Sequence, residues 1–202
     1  NLVAEVSSPD IHIYQPGCGK RIVLIDCGTK LGLIRQLTRR GLSVIRVPHN
    51  TPAEKVLSFK PDGVVISNGP GNPELCSTVS TVSSLLKENL PFLGIGLGHQ
   101  ILALAAGART YKLKFGHHSQ NQPCLEIGTS RCYLTSQNHG YVVDQESLLP
   151  DWMPWFINAN DGTNEGIKHC HQPFLGVQFH PEACPGPTDT EFIFDIFLEQ
   201  FG

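Results

Sequence analysis

The chain has 202 residues, of which 40% are hydrophobic and 16% charged, with a formal net charge of -3. That balance describes one compact domain with ample core and excludes a disordered or fibrous chain. Without any run of Lys or Arg it leaves no footprint for nucleic acid or a membrane surface, so a small molecule or another protein is the expected partner.

Residues 1–19, "NLVAEVSSPDIHIYQPGCG", are rich in Ser, Pro and Gly and lack a sustained period. They are expected to be a connector from a preceding domain, with the folded domain over residues 20–202. From Arg21 the pattern changes. "RIVLIDCG" is a short apolar run ended by Gly28, and "KLGLIRQLTRRG" spaces Leu31, Leu33, Ile34 and Leu37 as a helix before Gly41 stops it. "LSVIRV" predicts a strand, "PAEKVLSF" a short helix and "DGVVISNG" a third strand. "STVSTVSSLLKENL" predicts a long helix, "PFLGIG" a fourth strand and "GHQILALAAGA" a further helix. Strands alternating with helices at these intervals predict an open, mostly parallel, twisted α/β sheet with helices on both faces. After about Tyr111 shorter runs such as "RCYLTSQ", "GYVVD", "EGIKH" and "PFLGVQFH" predict a small antiparallel extension, and "DTEFIFDIFLEQF" a closing helix.

Several compositional facts bound the setting. Cys18, Cys27, Cys76, Cys124, Cys132, Cys170 and Cys184 are odd in number and lack C-x-x-C spacing, which fits reduced thiols rather than a disulfide framework. No stretch approaches the ~20 apolar residues of a membrane span, and no leader pattern opens the chain. A soluble protein is expected, cytoplasmic, with the mitochondrion as the alternative. Because it starts at Asn1 and its one methionine is Met153, the chain is expected to be cut from something longer.

Ligands of open α/β sheets collect beyond the carboxyl ends of the strands, so the loops there carry the chemistry. In "SNGPGNP", residues 67–73, Gly69 and Gly71 flank Pro70. This is either a nest of N–H groups for a negative oxygen or a plain tight turn. "GIGLGHQ", residues 94–100, has His99 where a dinucleotide fingerprint needs glycine. It does have the frame of a nucleophile elbow, with Gly94 and Gly98 two residues either side of the apex and the Leu97 N–H placed to hold an oxyanion. The apex, however, is Gly96. In "FHPE", residues 179–182, His180 and Glu182 can point the same way along an extended segment, so the carboxylate can orient the imidazole as a general base. Two histidine clusters, His117-His118 and His169-Cys170-His171, lack a properly spaced fourth ligand; solvated loop histidines are expected and no metal site.

Taken with "GHQILALAAGA", "FGHHSQNQP", "TSQNHGY", "FHPEACPGPTD" and "FDIF", these stretches resemble the class I (triad) glutamine amidotransferases. "QNHGY" and "FGHHSQNQP" point to the glutaminase domain of carbamoyl-phosphate synthetase, as a small subunit or a fused domain, serving pyrimidine or arginine biosynthesis. The resemblance implies a triad of an apex cysteine with His180 and Glu182, the cysteine's place being held by Gly96. It implies that glutamine is bound by Gly69, Gly71, Leu97, Gln100, Asn138, Gly140 and Tyr141, with Gly69 and Leu97 as the oxyanion hole. It implies no cofactor or metal in this domain, since ATP and bicarbonate are used by a synthetase partner, the large subunit or a fused synthetase domain.

Glycine cannot supply an attacking atom, so glutamine is expected to bind without appreciable turnover. Loss of the nucleophile costs about 10⁶-fold in a serine protease. Cys27, at the end of the first strand, is expected to be a core residue rather than a substitute nucleophile. Two histories fit Gly96: an engineered substitution, or a natural loss leaving a non-catalytic domain that supports an ammonia-dependent synthetase. Branches feeding guanylate, cytidylate or anthranilate synthases share the elbow and the His-x-Glu pair but not the other stretches.

Overall fold

The computed structural model describes residues 2–201. The first residues form a short helix, α1 (Leu2–Val6), and an edge strand, β1 (His12–Tyr14). There follow β2 (Arg21–Asp26), α2 (Leu31–Thr38), β3 (Ser43–Pro48), α3 (Ala53–Ser58), β4 (Gly63–Ile66), α4 (Thr78–Leu85), β5 (Phe92–Ile95) and α5 (Leu97–Ala105). The second half holds β6 (Arg109–Glu126), β7 (Cys132–Asp144), β8 (Trp152–Asn158), β9 (Asn164–His169), β10 (Phe174–Val177) and α6 (Phe192–Leu198).

All ten strands join in one sheet of order β1-β3-β2-β4-β5-β10-β9-β8-β6-β7. From β3 through β10 the neighbours run parallel; β1 is antiparallel on one edge, and β9, β8, β6 and β7 continue antiparallel on the other. The parallel strands read as continuous apolar runs because both faces are covered. In β2 successive side chains alternate: Ile22 and Leu24 pack with α2 and α6 through Leu33, Leu37, Phe194 and Phe197, while Val23 and Ile25 pack with Val56, Val82, Leu85 and Ile101 of α3, α4 and α5.

The first nineteen residues are ordered against this body wherever they are described. Val3 is buried among Ile25, Cys27 and Ile66. The Ser8 N–H donates to Asp26 Oδ2 at 2.9 Å, and the His49 N–H to Ser7 Oγ at 3.0 Å. Val3 alone of the segment's large apolar residues is buried, while Leu2, Val6, Ile11 and Ile13 stay exposed, so backbone hydrogen bonds and the β1–β3 pairing hold most of it. Asn1 and Gly202 lie outside the described residues.

The antiparallel extension has more strand than its sequence pattern suggests. "RCYLTSQ" and "GYVVD" belong to one strand, β7, and "FGHHSQNQP" lies inside the eighteen-residue β6. Irregular register between Lys112 and His117, and again between Ser119 and Gln122, breaks the two-residue alternation that announces a strand. Pro154 similarly masks β8.

Candidate active site

The parallel order puts β4, β5 and β10 side by side, so the loops leaving their carboxyl ends converge. These are the 67–73 loop, the turn into α5 and the segment that follows β10.

The turn between β5 and α5 is an elbow. Gly96 has φ +58° and ψ -112°, a conformation that L side chains rarely adopt. Its N–H donates to the Val177 carbonyl at 2.9 Å and its carbonyl accepts from the Gln100 N–H at 3.3 Å, tying the apex both to β10 and to the first turn of α5. The flanking glycines are sterically required. A Cβ on Gly94 would run into the Gly98 carbonyl, and one on Gly98 into the Ile66 carbonyl. A Cβ on Gly96, by contrast, would sit 3.5 Å from His180 Cε1 and 3.5 Å from Asn68 Cβ, in ordinary contact. A side chain at residue 96 therefore starts beside the imidazole, between it and Asn68.

His180 is held from two sides. Its N–H donates to the Ser136 carbonyl at 2.9 Å, and its Nδ1 lies 2.9 Å from Glu182 Oε1. Both side chains are buried. With Nδ1 engaged by the carboxylate, the remaining ring nitrogen is available for proton transfer, the arrangement a general base needs. Glu182 stands behind the ring, away from the cavity lining.

Between the elbow and the imidazole lies a cavity of about 230 Å³. It is lined by Gly69, Gly71, Gly96, Leu97, Gln100, Asn138, Gly140, Tyr141 and His180, so every residue assigned to glutamine from the sequence meets there. The two loop glycines have different reasons: Gly71 takes φ +98°, whereas a Cβ on Gly69 would strike the Cys27 carbonyl and crowd Leu97. Gln100 reaches across to β7, its Nε2 donating to the Tyr141 carbonyl at 2.7 Å and to Gln178 Oε1 at 2.8 Å.

The lining also includes Pro70, His118, His139 and Gln178, which sequence reading missed. His118 Nδ1 lies 2.7 Å from Asn138 Oδ1. Nothing local in the sequence distinguishes these positions; the cross-strand pairing of β6 with β7 brings the two histidines to the pocket. Cys27 is fully buried and burial pushes its thiol far up, so it is no thiolate source. His99, in the first turn of α5, is also fully buried; burial, with repulsion from His139, pushes it down to about 3 and keeps it neutral.

The expectation of solvated loop histidines needs correcting for His117. It is a buried residue of β6, and with His139 and Glu165 it forms a group whose donor atoms lie within 4.8 Å of one another. His117 Nδ1 is 3.2 Å from Glu165 Oε1 and Nε2 is 2.9 Å from Asp161 Oδ2. The hydrogen bond to Glu165, opposed by burial and aided by Asp161, pushes His117 up to about 9. The ring thus carries its own positive charge with both nitrogens occupied by carboxylates. His169 serves a turn, its Nδ1 accepting from the N–H groups of His171 and Gln172 at 3.1 and 3.0 Å.

Comparison with known proteins places the chain among its relatives. The carbamoyl phosphate synthase small chain of Methanocaldococcus jannaschii is 50% identical over 201 residues, covering 98% of this chain and 56% of that protein. The arginine-specific small chain of Debaryomyces hansenii is 49% identical over 208 residues, 98% of this chain and 48% of its own length. The multifunctional protein CAD of Squalus acanthias is 49% identical over 202 residues, 98% of this chain and 9% of that protein. The chain therefore spans about half the length of the small chains it matches. In solved structures, a putative GMP synthase component from Thermoplasma acidophilum has the same fold, with TM-score 0.77 at 24% identity over 89% of this chain and 92% of that one. With residues 23–200 matching the family described as "Glutamine amidotransferase class-I", the chain belongs to that family.

Proposed function

We propose that this domain binds L-glutamine in the cavity between residue 96 and His180, and that it descends from a glutaminase supplying ammonia for carbamoyl phosphate synthesis. The observation that carries the reading is the direction of residue 96: a side chain there meets His180 Cε1 at 3.5 Å, over a cavity of amino-acid size. With a cysteine at the apex, His180 takes the thiol proton and the thiolate attacks the side-chain amide carbon of glutamine. The tetrahedral oxygen is met by the Gly69 and Leu97 N–H groups. His180 then protonates the leaving nitrogen, ammonia departs, and water cleaves the γ-glutamyl thioester to glutamate. Glu182 keeps the ring oriented throughout. As the chain stands, Gly96 provides the cradle without the sulfur, so binding persists and hydrolysis does not.

The ammonia acceptor is a synthetase, as a separate large subunit or a fused domain, which uses ATP and bicarbonate; this domain itself takes no metal or cofactor. The relatives' names, small chains and multifunctional proteins alike, support that partnership. All seven cysteines are unpaired, in keeping with a reducing compartment, cytoplasm or mitochondrion. Calorimetric titration with L-glutamine, followed by an ammonia-release assay on Gly96→Cys, tests the reading. Binding to the parent and turnover in the cysteine variant are expected, and a folded cysteine variant that stays inert sinks it. A natural domain that only buttresses an ammonia-dependent synthetase is the second reading, favoured by Gly96 itself; absence of glutamine binding would select it.

A further inference from the structure

A cluster of charge sits directly behind one pocket wall and has no part in the reaction just described. His117 on β6 faces His139 on β7 across the ladder, and the rings meet edge to face with centroids 4.9 Å apart. One nitrogen of His117 faces Glu165 and the other Asp161. A ring with a carboxylate oxygen at each nitrogen donates from both and is an imidazolium. Asp161 is fixed in turn by the Thr163 N–H and hydroxyl, at 3.1 and 2.8 Å. Glu165 is fully buried, and its Oε2 has no partner among the described residues. An ionised carboxylate keeps such a place only beside a cation.

The route to the pocket runs through His139. Its Nδ1 donates to the Tyr141 carbonyl at 3.0 Å, the same oxygen that accepts from Gln100 Nε2. Its Nε2 is 3.0 Å from Gln137 Oε1 and 3.7 Å from Glu165 Oε1. His139 is therefore the next imidazole in line to answer the Glu165 charge, at 3.7 Å against 3.2 Å for His117. It is also one of two side chains pinning the backbone that lines the pocket.

We propose that His117 is a positioning residue for the glutamine pocket: by neutralising Glu165 it leaves His139 to hold the Tyr141 carbonyl, and with it the wall from Asn138 to Tyr141. The inference rests on the glutamine-binding reading. Remove His117 and the His139 ring, 3.7 Å from Glu165 Oε1, is the imidazole left facing that carboxylate; it swings towards β9, off the carbonyl it supports. The wall then loses one of its two pins although no residue touching glutamine has changed.

Titration of L-glutamine into the unsubstituted domain and into His117→Gln measures the effect. Binding about tenfold weaker is expected in the variant, with recovery to within about threefold in His117→Gln/Glu165→Gln, where no unpaired carboxylate remains. A merely structural clamp would make the two substitutions add instead of cancel. In a Gly96→Cys background the His117 change raises KM and leaves kcat unchanged. Should His117→Gln fail to fold, Asp161→Asn tests the link from its outer end, where the side chain is 43% exposed, with about threefold weaker binding expected. Unchanged affinity in whichever of these single variants folds, or a double variant worse than the single, overturns the proposal. So does zinc raising the melting temperature of the parent but not of His117→Gln, because a metal would then be the cation. A parent that gives no heat with glutamine fails the binding reading itself and takes this inference with it, an outcome seen before any variant is made.

Discussion

Residue 96 concentrates the chemistry of this molecule in one missing side chain. The space around the apex already admits a Cβ, since contacts at 3.5 Å are ordinary. What Gly96 avoids is the strain of φ +58° on an L residue. Gly96→Cys is therefore expected to restore glutamine hydrolysis while lowering stability by about 1–3 kcal/mol, read by ammonia release and chemical denaturation on the same preparation. Its neighbour behaves oppositely. In Gly98→Ala the new methyl collides with the Ile66 carbonyl, so a loss of about 3 kcal/mol or more is expected, together with loss of glutamine binding. A Gly98→Ala variant as stable as the parent by denaturant melt would contradict the packing described for the elbow.

The active elements are loops, but their placement depends on what lies under the antiparallel extension. Phe156 of β8 stacks edge to face on Phe179, ring centroids 5.3 Å apart, and Phe179 immediately precedes His180. Phe156→Ala is expected to cost about 3–5 kcal/mol and to weaken glutamine binding through His180, which a calorimetric titration at low temperature can detect in the folded fraction. The extension also has a pH signature. His117 titrates near 6.5 in an unfolded chain and at about 9 here, so its ion pairs stabilise the fold fully below pH 6.5 and are lost as pH rises through 9. The groups facing it are Asp161, Glu165 and His139. The melting temperature of the parent is expected to fall between about pH 7 and 10 more steeply than that of His117→Gln. Parallel curves would mean that His117 is no imidazolium.

At the scale of the whole molecule, one sheet runs from β1 to β7 and one cavity sits near its middle, where β5 meets β10. A ligand seated there touches the ends of β4, β5, α5 and β7 and so stabilises both halves. Glutamine at about 100 times its Kd is expected to add about 2.7 kcal/mol to unfolding, visible as a rise in melting temperature that L-glutamate and L-asparagine fail to match. An equal rise with all three would mean that the cavity does not read the side-chain amide.

The parallel half was legible because its signals are local. The apolar runs of β2, β4 and β5, the helical spacing of α2 and the paired glycines at residues 94 and 98 each follow from the conformation of a few consecutive residues. Likewise His180 and Glu182 meet across two positions of the same segment. The extension was less legible: bulges interrupt β6, and Pro154 interrupts β8, so periodicity fails where the strands are longest.

By itself, then, the sequence determined the layer order, the elbow and the absence of a nucleophile at its apex, all short-range consequences of residue type. Tertiary structure alone decided that His117 is buried between two carboxylates rather than a solvated loop residue, and that His118, His139 and Gln178 border the pocket. Those placements arise from cross-strand and crossover contacts between residues far apart in the chain, such as Gln100 and Gln178, separated by 78 positions. No local pattern encodes which distant strands become neighbours.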